Sequence, residues 1–328
     1  MAVLVTGGAG YIGSHAVVEL MEQGQEVIVL DNLQQGHRQA VLGDLFYHGD
    51  VRDSDLLDRI FRLHEIDAVI HFAADSLVGE SMQNPLKYYN NNVLGAQRLL
   101  EKMIEHGVRN IVFSSTAATY GQPDEVPIPE TAPTRPASPY GESKLAMENM
   151  MRWCEAAHGI RWIALRYFNV GGAHSSGRIG EDHSPETHLI PLVLQVALGQ
   201  RDQVFIYGDD YPTEDGTCIR DYIHVMDLAN AHWLAYQHLR DGKESGVYNL
   251  GNGNGFSVLQ VIETARKVTG HPLPTRVVER RPGDPAILVA SSEKAKRELG
   301  WEPQRAQLET IIASAWQWHQ AHPRGYRS

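Results

Sequence analysis

The sequence predicts an α/β protein, a doubly wound parallel sheet with helices on both faces followed by a smaller mixed α/β domain. Three observations carry this. Short β-branched runs alternate with helical patterns through the first half, the alternation loosens beyond about residue 168, and 328 residues lie where a single hydrophobic core tends to divide. The strand patterns fall at 2–6, 26–30, 46–49, 68–71, 110–114 and 162–166. Between them, segments 11–23, 53–63, 85–106 and 139–158 carry apolar residues at three and four spacing, as amphipathic helices do. Asn84-Pro85 and Ser138-Pro139 each set a capping residue before a proline at the first helical position. Gly107 and Gly159 stand where C-terminal glycine caps are expected.

Beyond residue 168, Gly/Pro-rich stretches at 171–185, 207–216 and 280–285 separate shorter elements. Segments 224–239 and 256–269 read as helices and 247–250 as a strand. The boundaries drawn are 1–168 and 169–328, with segments near 221–250 as candidates to return to the first domain. The Pro-rich stretch 122–139 lies between two motifs that must converge, so it reads as an ordered loop.

Composition narrows the function. Lys plus Arg is 29 against 40 for Asp plus Glu, a formal charge of −11. Nucleic acid and anionic membrane surfaces both call for a basic footprint, so neither is an expected partner. Any anionic ligand must be met by a few local cations and backbone N–H groups. Cys154 and Cys218 are the only cysteines and form no CxxC pair, so no disulfide framework or thiolate zinc site is expected. The chain reads as cytoplasmic and free of metal. A strand pattern begins at Ala2, where a signal peptide would have its charged segment, and no apolar run approaches the ~20 residues of a membrane span.

The first chemical signal is the run Val3-Leu4-Val5-Thr6-Gly7-Gly8-Ala9-Gly10-Tyr11-Ile12-Gly13. Glycines 7, 10 and 13 lie three apart where a strand turns into a helix. Such a turn aims N–H groups and the positive helix end at a pyrophosphate, and glycine lets the backbone come close. The context supports a Rossmann-type dinucleotide site. Asp31 ends the second strand, where a carboxylate accepts from the adenosine ribose hydroxyls and repels a 2′-phosphate, which selects NAD over NADP. Arg38 is near, though no basic residue follows Asp31 directly. Asp50, after the third strand, suits the adenine amino group or a cap on the next helix.

The second signal is Tyr140-Gly141-Glu142-Ser143-Lys144 at the start of a helix. The four-residue offset puts Tyr140 and Lys144 on one face. Lowering a phenol by about three pKa units costs roughly 4 kcal/mol, which an adjacent ammonium and a positive nicotinamide can supply, making Tyr140 a base near neutral pH. Upstream, Phe113-Ser114-Ser115-Thr116-Ala117-Ala118-Thr119-Tyr120-Gly121 leaves hydroxyls at the carboxyl end of a strand, where α/β sheets place ligands. Thr116 is the candidate to hydrogen-bond the reacting oxygen, while Ser114 and Ser115 read as turn-forming hydroxyls.

Together these runs, with Asp31-Asn32-Leu33, Arg166-Tyr167-Phe168-Asn169, Gly208-Asp209-Asp210-Tyr211 and Arg220-Asp221-Tyr222-Ile223-His224, make the chain resemble the UDP-glucose 4-epimerase family of the extended short-chain dehydrogenase/reductases, over nearly its whole length. The resemblance implies NAD held tightly and recycled within each turnover. Tyr140 removes the sugar 4-hydroxyl proton, a 4-keto sugar forms with NADH, and the sugar swings before reduction on its other face. It further implies cofactor contacts at Tyr11, Ile12, Asp31, Asn32, Asp50, Val51, Phe72, Ala73, Asn91, Lys144 and Phe168. Asn169, His188, Leu189, Arg220, Arg281 and Asp284 match positions that hold a UDP-sugar, making 169–328 the UDP-sugar-binding part. Arginine's planar fork suits the pyrophosphate. Helices 85–106 and 139–158 pair across a two-fold axis in the family, which with Met147, Met150, Met151 and Trp153 points to a homodimer.

Two departures stand out. Family members commonly carry a lysine where this chain has Ser76, in Phe72-Ala73-Ala74-Asp75-Ser76, so one cation on the cofactor is absent. Leu288 falls where the family varies between tyrosine and smaller residues, leaving N-acetylated UDP-sugars open as substrates beside uronic acid and pentose derivatives. A dehydratase needs an acidic pair after the strand-end threonine, where Ala117-Ala118 stand. A non-catalytic NAD-sensing module would lack the tyrosine or the lysine, and both are here.

Overall fold

The computed structural model describes residues 1–281 and 284–326. The first half runs β1 (Ala2–Thr6), α1 (Tyr11–Glu22), β2 (Glu26–Asp31), β3 (Leu45–His48), α2 (Ser54–Leu63), β4 (Ile66–His71), α3 (Val78–Gln83), α4 (Pro85–Tyr88), α5 (Gly95–Glu105), β5 (Asn110–Thr116), α6 (Pro139–His158) and β6 (Arg161–Tyr167). It continues through β7 (Asn169–Gly171), α7 (Leu189–Ala197), β8 (Val204–Tyr207), β9 (Ile219–His224), α8 (Val225–Arg240), β10 (Gly246–Leu250), β11 (Gly255–Ser257), α9 (Val258–Thr269), β12 (Thr275–Val278), β13 (Ile287–Leu288), α10 (Glu293–Leu299) and α11 (Leu308–Ala321).

Seven strands form one parallel sheet in the order β10-β6-β5-β4-β1-β2-β3. Alternate residues of each strand face opposite ways, so Val3 and Val5 enter one core with α1 and α8, while Leu4 enters the other with α2, α5 and α6. Burial on both faces explains why these strands read as continuous apolar runs. The chain reverses direction of winding between β1 and β4, the crevice where such sheets bind ligands.

A second sheet has β9 at its centre, with β11 antiparallel and β7 and β13 parallel to it, and β8 pairs with β12. Its core of Ile190, Leu194, Val261, Ile262, Ile311 and Ile312 is supplied by α7, α9 and α11. From there the chain returns to the main sheet through α8 and β10, which pairs with β6. Among the described residues no helix is long and apolar enough to cross a membrane.

Three local expectations are corrected. The pattern over 85–106 is interrupted by a π-helical stretch, Tyr89–Leu94, and Asn84 caps nothing with its side chain. Residues 256 and 257 of the helix expected over 256–269 belong to strand β11, with Ser257 capping the helix behind it. Met147 and Met151 are fully buried and belong to the core, leaving Trp153, 69 % exposed, as the outward apolar group of α6. Ser138 does cap α6, accepting from the Gly141 N–H at 3.2 Å.

Candidate active site

The glycine-rich turn is shaped by contacts a Cβ would destroy. Gly7 has φ +75°, and a Cβ there would lie 2.5 Å from the Ala73 nitrogen; one on Gly13 would lie 2.1 Å from the Gly7 carbonyl oxygen. These two glycines serve the packing of turn, helix and β4. Gly10 differs, since its Cβ would meet only the Gly7 oxygen at an ordinary 3.4 Å. Its bare face turns to the cleft, where a ligand backbone can approach. The first helical bond runs from Ser14 N–H to the Gly10 carbonyl at 2.9 Å, so the N–H groups of Tyr11 and Ile12 have no carbonyl a turn behind them.

An open cleft lies along this turn. Gly7, Gly10, Asp31, Asn32, Val51, Phe72, Ala73 and Asn91 line it, all expected from the sequence. Asp31 also ties the turn together. One carboxylate oxygen accepts from Ala9 N–H at 2.9 Å and the other from Leu33 N–H at 2.8 Å. Burial pushes its carboxyl up and those two bonds pull against it.

Asp50 does not line the cleft. Arg52 grips it with Nε and Nη2, both at 2.7 Å, and Asn32 adds a bond at 3.0 Å, so Arg52 holds the carboxyl well below the usual carboxylate range. It does not cap α2 either, which is the work of Asp53. No sequence signal marked Arg52.

Next to Ser76, where the family lysine is absent, Asp75 lines the cleft, buried, with Lys87 Nζ 3.7 Å from its Oδ1. The π-helical stretch aims Asn92 at it. Asn92 accepts from Asp75 N–H at 2.8 Å, donates to its carbonyl at 3.1 Å, and donates to Ser143 Oγ on α6 at 3.0 Å. π-Helical insertions often mark functional positions because they turn one side chain out of register.

The catalytic candidates meet where β5 ends against the start of α6. A Cβ on Gly141 would lie 2.5 Å from the Ala118 carbonyl oxygen, so only glycine lets the helix approach this closely. That contact sets Tyr140 beside Thr116, whose Oγ1 also accepts from Ala118 N–H at 3.1 Å. Burial pushes the Tyr140 phenol up, and a hydrogen bond with the Thr116 hydroxyl opposes it. Lys144 Nζ sits 6.0 Å from the Tyr140 ring centre and 4.9 Å from that of Phe113, and donates to the Ser114 carbonyl at 2.8 Å. Burial brings the ammonium down to about 7, with Glu148 working against that fall.

Glu148 was missed, although it repeats the four-residue offset from Tyr140 through Lys144. It is buried and accepts from Ser115 Oγ and from Arg166 Nε at 2.9 Å. Ser114 bonds Tyr167, so both serines act inside the strand and not as turn formers.

On the facing side, Asn169 lies in β7 opposite Tyr222, and His188 and Leu189 open α7. Arg220 forms an ion pair with Asp284 and donates to the Ile219 carbonyl at 2.7 Å. Arg281 stands apart, exposed, with its guanidinium 4.1 Å from the Tyr207 ring centre. Leu288 is half-buried and faces Arg220 in the β9–β13 register. Phe168 joins β6 to β7. Tyr11 links the two sides, donating to the Gly172 carbonyl at 2.6 Å with its ring edge-on to His183.

The NAD dependent epimerase/dehydratase family matches over residues 3–251. The chain is 65 % identical over 326 residues to a UDP-glucose 4-epimerase of Halalkalibacterium halodurans, covering 99 % of this chain and 98 % of that one. A crystal structure of a UDP-glucose 4-epimerase superposes with a TM-score of 0.98 at 57 % identity, covering 100 % of both chains. The UDP-glucose 4-epimerase of Bifidobacterium longum, solved in complex with NAD+ and UDP, superposes at 0.94 with 43 % identity, covering 99 % of this chain and 100 % of that one. With a family match across most of its length and relatives this similar end to end, the chain belongs to the NAD dependent epimerase/dehydratase family.

Proposed function

We propose that the chain is an NAD-dependent UDP-glucose 4-epimerase that interconverts UDP-galactose and UDP-glucose by inverting the sugar at C4. The observation that carries this is the junction of β5 and α6, where Tyr140, Thr116 and Lys144 converge beside a cleft shaped for a dinucleotide. The 65 % identical relative named for this activity supports it.

The cleft fits NAD on its own features. The bare face of Gly10, the free N–H groups opening α1 and the buried Asp31 carboxylate are what a pyrophosphate followed by a ribose diol requires. When bound, NAD supplies reversible redox chemistry at the sugar carbon and a positive charge near the phenol. Lys144, anchored to the Ser114 carbonyl, favours the phenolate, and Tyr140 takes the proton of the 4-hydroxyl as Thr116 holds that oxygen. When the opposite face of the sugar is presented, Tyr140 returns the proton, so the protein ends as it began. Arg220, Arg281, Asn169, His188, Leu189 and Asp284 hold the UDP-sugar, with the cations meeting the pyrophosphate so that an acidic chain can bind an anion. Inversion at C4 asks the protein to grip the nucleotide firmly and the sugar loosely, so that the sugar can turn.

Purified protein is expected to convert UDP-galactose without added NAD, and Tyr140→Phe to lose roughly 10²–10⁴ in kcat while keeping its nicotinamide. A wild-type protein inert toward UDP-galactose, or a Tyr140→Phe variant with full turnover, refutes the assignment. UDP-N-acetylgalactosamine and a UDP-uronic acid assayed alongside rank the alternative sugars, a choice in which one pocket group such as Leu288 contributes about 1–3 kcal/mol.

The protein acts as a homodimer joined through α3–α5 and α6. Met82 (61 % exposed), Leu86 (80 %) and Tyr89 (42 %) lie along the first of these, an apolar surface that a partner helix covers. A monomer mass by light scattering overturns this. Cys154 and Cys218 are both free thiols, which suits a reducing cytoplasm.

A further inference from the structure

We propose that Glu181, His183, Glu186 and His188 form a binding site for a divalent transition-metal ion of the zinc class, one per chain. The four residues fall within one eight-residue segment, and one ligand atom from each lies within 4.8 Å of all the others. Both imidazoles turn Nδ1 to the same centre. His188 Nδ1 is 2.9 Å from Glu181 Oε1 and 3.2 Å from Glu186 Oε1, and His183 Nδ1 is 3.3 and 3.5 Å from Glu181 Oε1 and Glu186 Oε2.

Those separations match a metal polyhedron. Tetrahedral bonds of ~2.1 Å set neighbouring ligand atoms ~3.4 Å apart. His183 Nδ1 is buried and makes no hydrogen bond, although two carboxylates stand within 3.5 Å. A lone pair aimed at a shared centre has that geometry, and an N–H aimed at one oxygen does not. Both glutamate side chains are about 95 % buried (4 % and 5 % exposed), and among the described residues their only ion-pair partners are these histidines. The support is also built. Glu186 Oε1 accepts from the N–H groups of Thr187 and His188 at 2.7 and 2.8 Å, fixing the carboxylate as outer partners of metal ligands do.

Two imidazoles and two carboxylates favour zinc or cobalt over magnesium or calcium, which prefer oxygen alone. The low cysteine count excludes thiolate sites and says nothing of this donor set. An ion here pins the 181–188 loop between Tyr11, edge-on to His183, and the start of α7. His188 turns Nδ1 to this centre and keeps Nε2 for the nucleotide, so the ion acts as a structural clamp beside the ligand cleft and takes no part in the chemistry at C4.

The test uses the full-length protein with its bound nicotinamide, freed of metal by a chelator and dialysed. Titration with zinc is expected to reach one ion per chain and raise the thermal midpoint, and cobalt to give the intense visible absorption of tetrahedral coordination. His183→Asn abolishes all three responses. His106→Gln, in the separate Asp58–Glu105–His106 cluster, leaves them intact. No bound zinc in the wild type, an equal response to magnesium, or loss in His106→Gln with retention in His183→Asn overturns the proposal. The wild-type titration decides even if His183→Asn fails to fold.

Discussion

Glu148→Gln removes a charge and keeps the shape, and the structure sets how much that costs. Glu148 and Arg166 are each only 4 % exposed, and the guanidinium directs both Nε and Nη2 at this one carboxylate. Glutamine leaves a buried cation uncompensated, a loss of roughly 3–5 kcal/mol for broken buried pairs. At roughly 2 °C per kcal/mol for a chain of this size, the thermal midpoint falls by roughly 6–10 °C. The double variant Glu148→Met/Arg166→Met removes both charges and recovers most of the loss, since apolar replacement of a whole buried pair is often neutral or stabilising. Calorimetry on the three proteins decides. A Glu148→Gln loss under about 1 kcal/mol, the size expected of an exposed pair, or a double variant no better than the single, refutes the reasoning. The same substitution removes the charge that opposes the fall of Lys144, so activity shifts toward lower pH, where the lysine is still protonated.

Two further outcomes follow from the geometry. Gly13→Ala puts a methyl 2.1 Å from the Gly7 carbonyl oxygen, so the protein is expected to purify without nicotinamide; full cofactor by absorbance shows that the turn can shift. Burial holds His15 and His232 down to about 4 and His71 and His224 down to about 3. The unfolded chain binds their protons near pH 6.5 and the folded chain does not, so stability is intact above 6.5 and falls as pH drops toward 4, by up to about 2 kcal/mol per histidine at pH 5. A urea midpoint unchanged between pH 7 and pH 5 contradicts this.

What the sequence made legible was whatever repeats at a fixed spacing. The parallel strands show as apolar runs because both faces are buried, and the glycine turn, Asp31, Tyr140 and Lys144 show because a βα turn and one helix face set their intervals. Glu148 obeys the same interval and was readable. Arg52 and the Glu181–His188 cluster were not, because a bidentate grip two residues away and a loop folded on itself leave no period. The π-helical stretch was hidden for a related reason. One added residue barely alters an apolar pattern, yet it decides that Asn92 reaches both Asp75 and Ser143.

Burial moves Tyr140 and Lys144 in opposite directions, the phenol up and the ammonium down to about 7, and both shifts favour the uncharged forms. The chain by itself therefore opposes the phenolate–ammonium pair that proton removal needs. Thr116 gives the phenolate one hydrogen bond, and Glu148 holds part of the charge on Lys144. The remaining stabilisation has to arrive with the positively charged cofactor, and each pKa unit asks for 1.36 kcal/mol. Tyr140 then acts as a base only in the loaded protein, which guards against idle proton exchange in the free one. Tyrosinate absorbance tests this directly. Between pH 6 and 9 the cofactor-free protein should match its Tyr140→Phe variant, and the NAD-loaded protein should exceed its own variant by one ionising tyrosine. A Tyr140-dependent ionisation in that range without cofactor would show that Lys144 alone suffices, and that burial does not restrain the base.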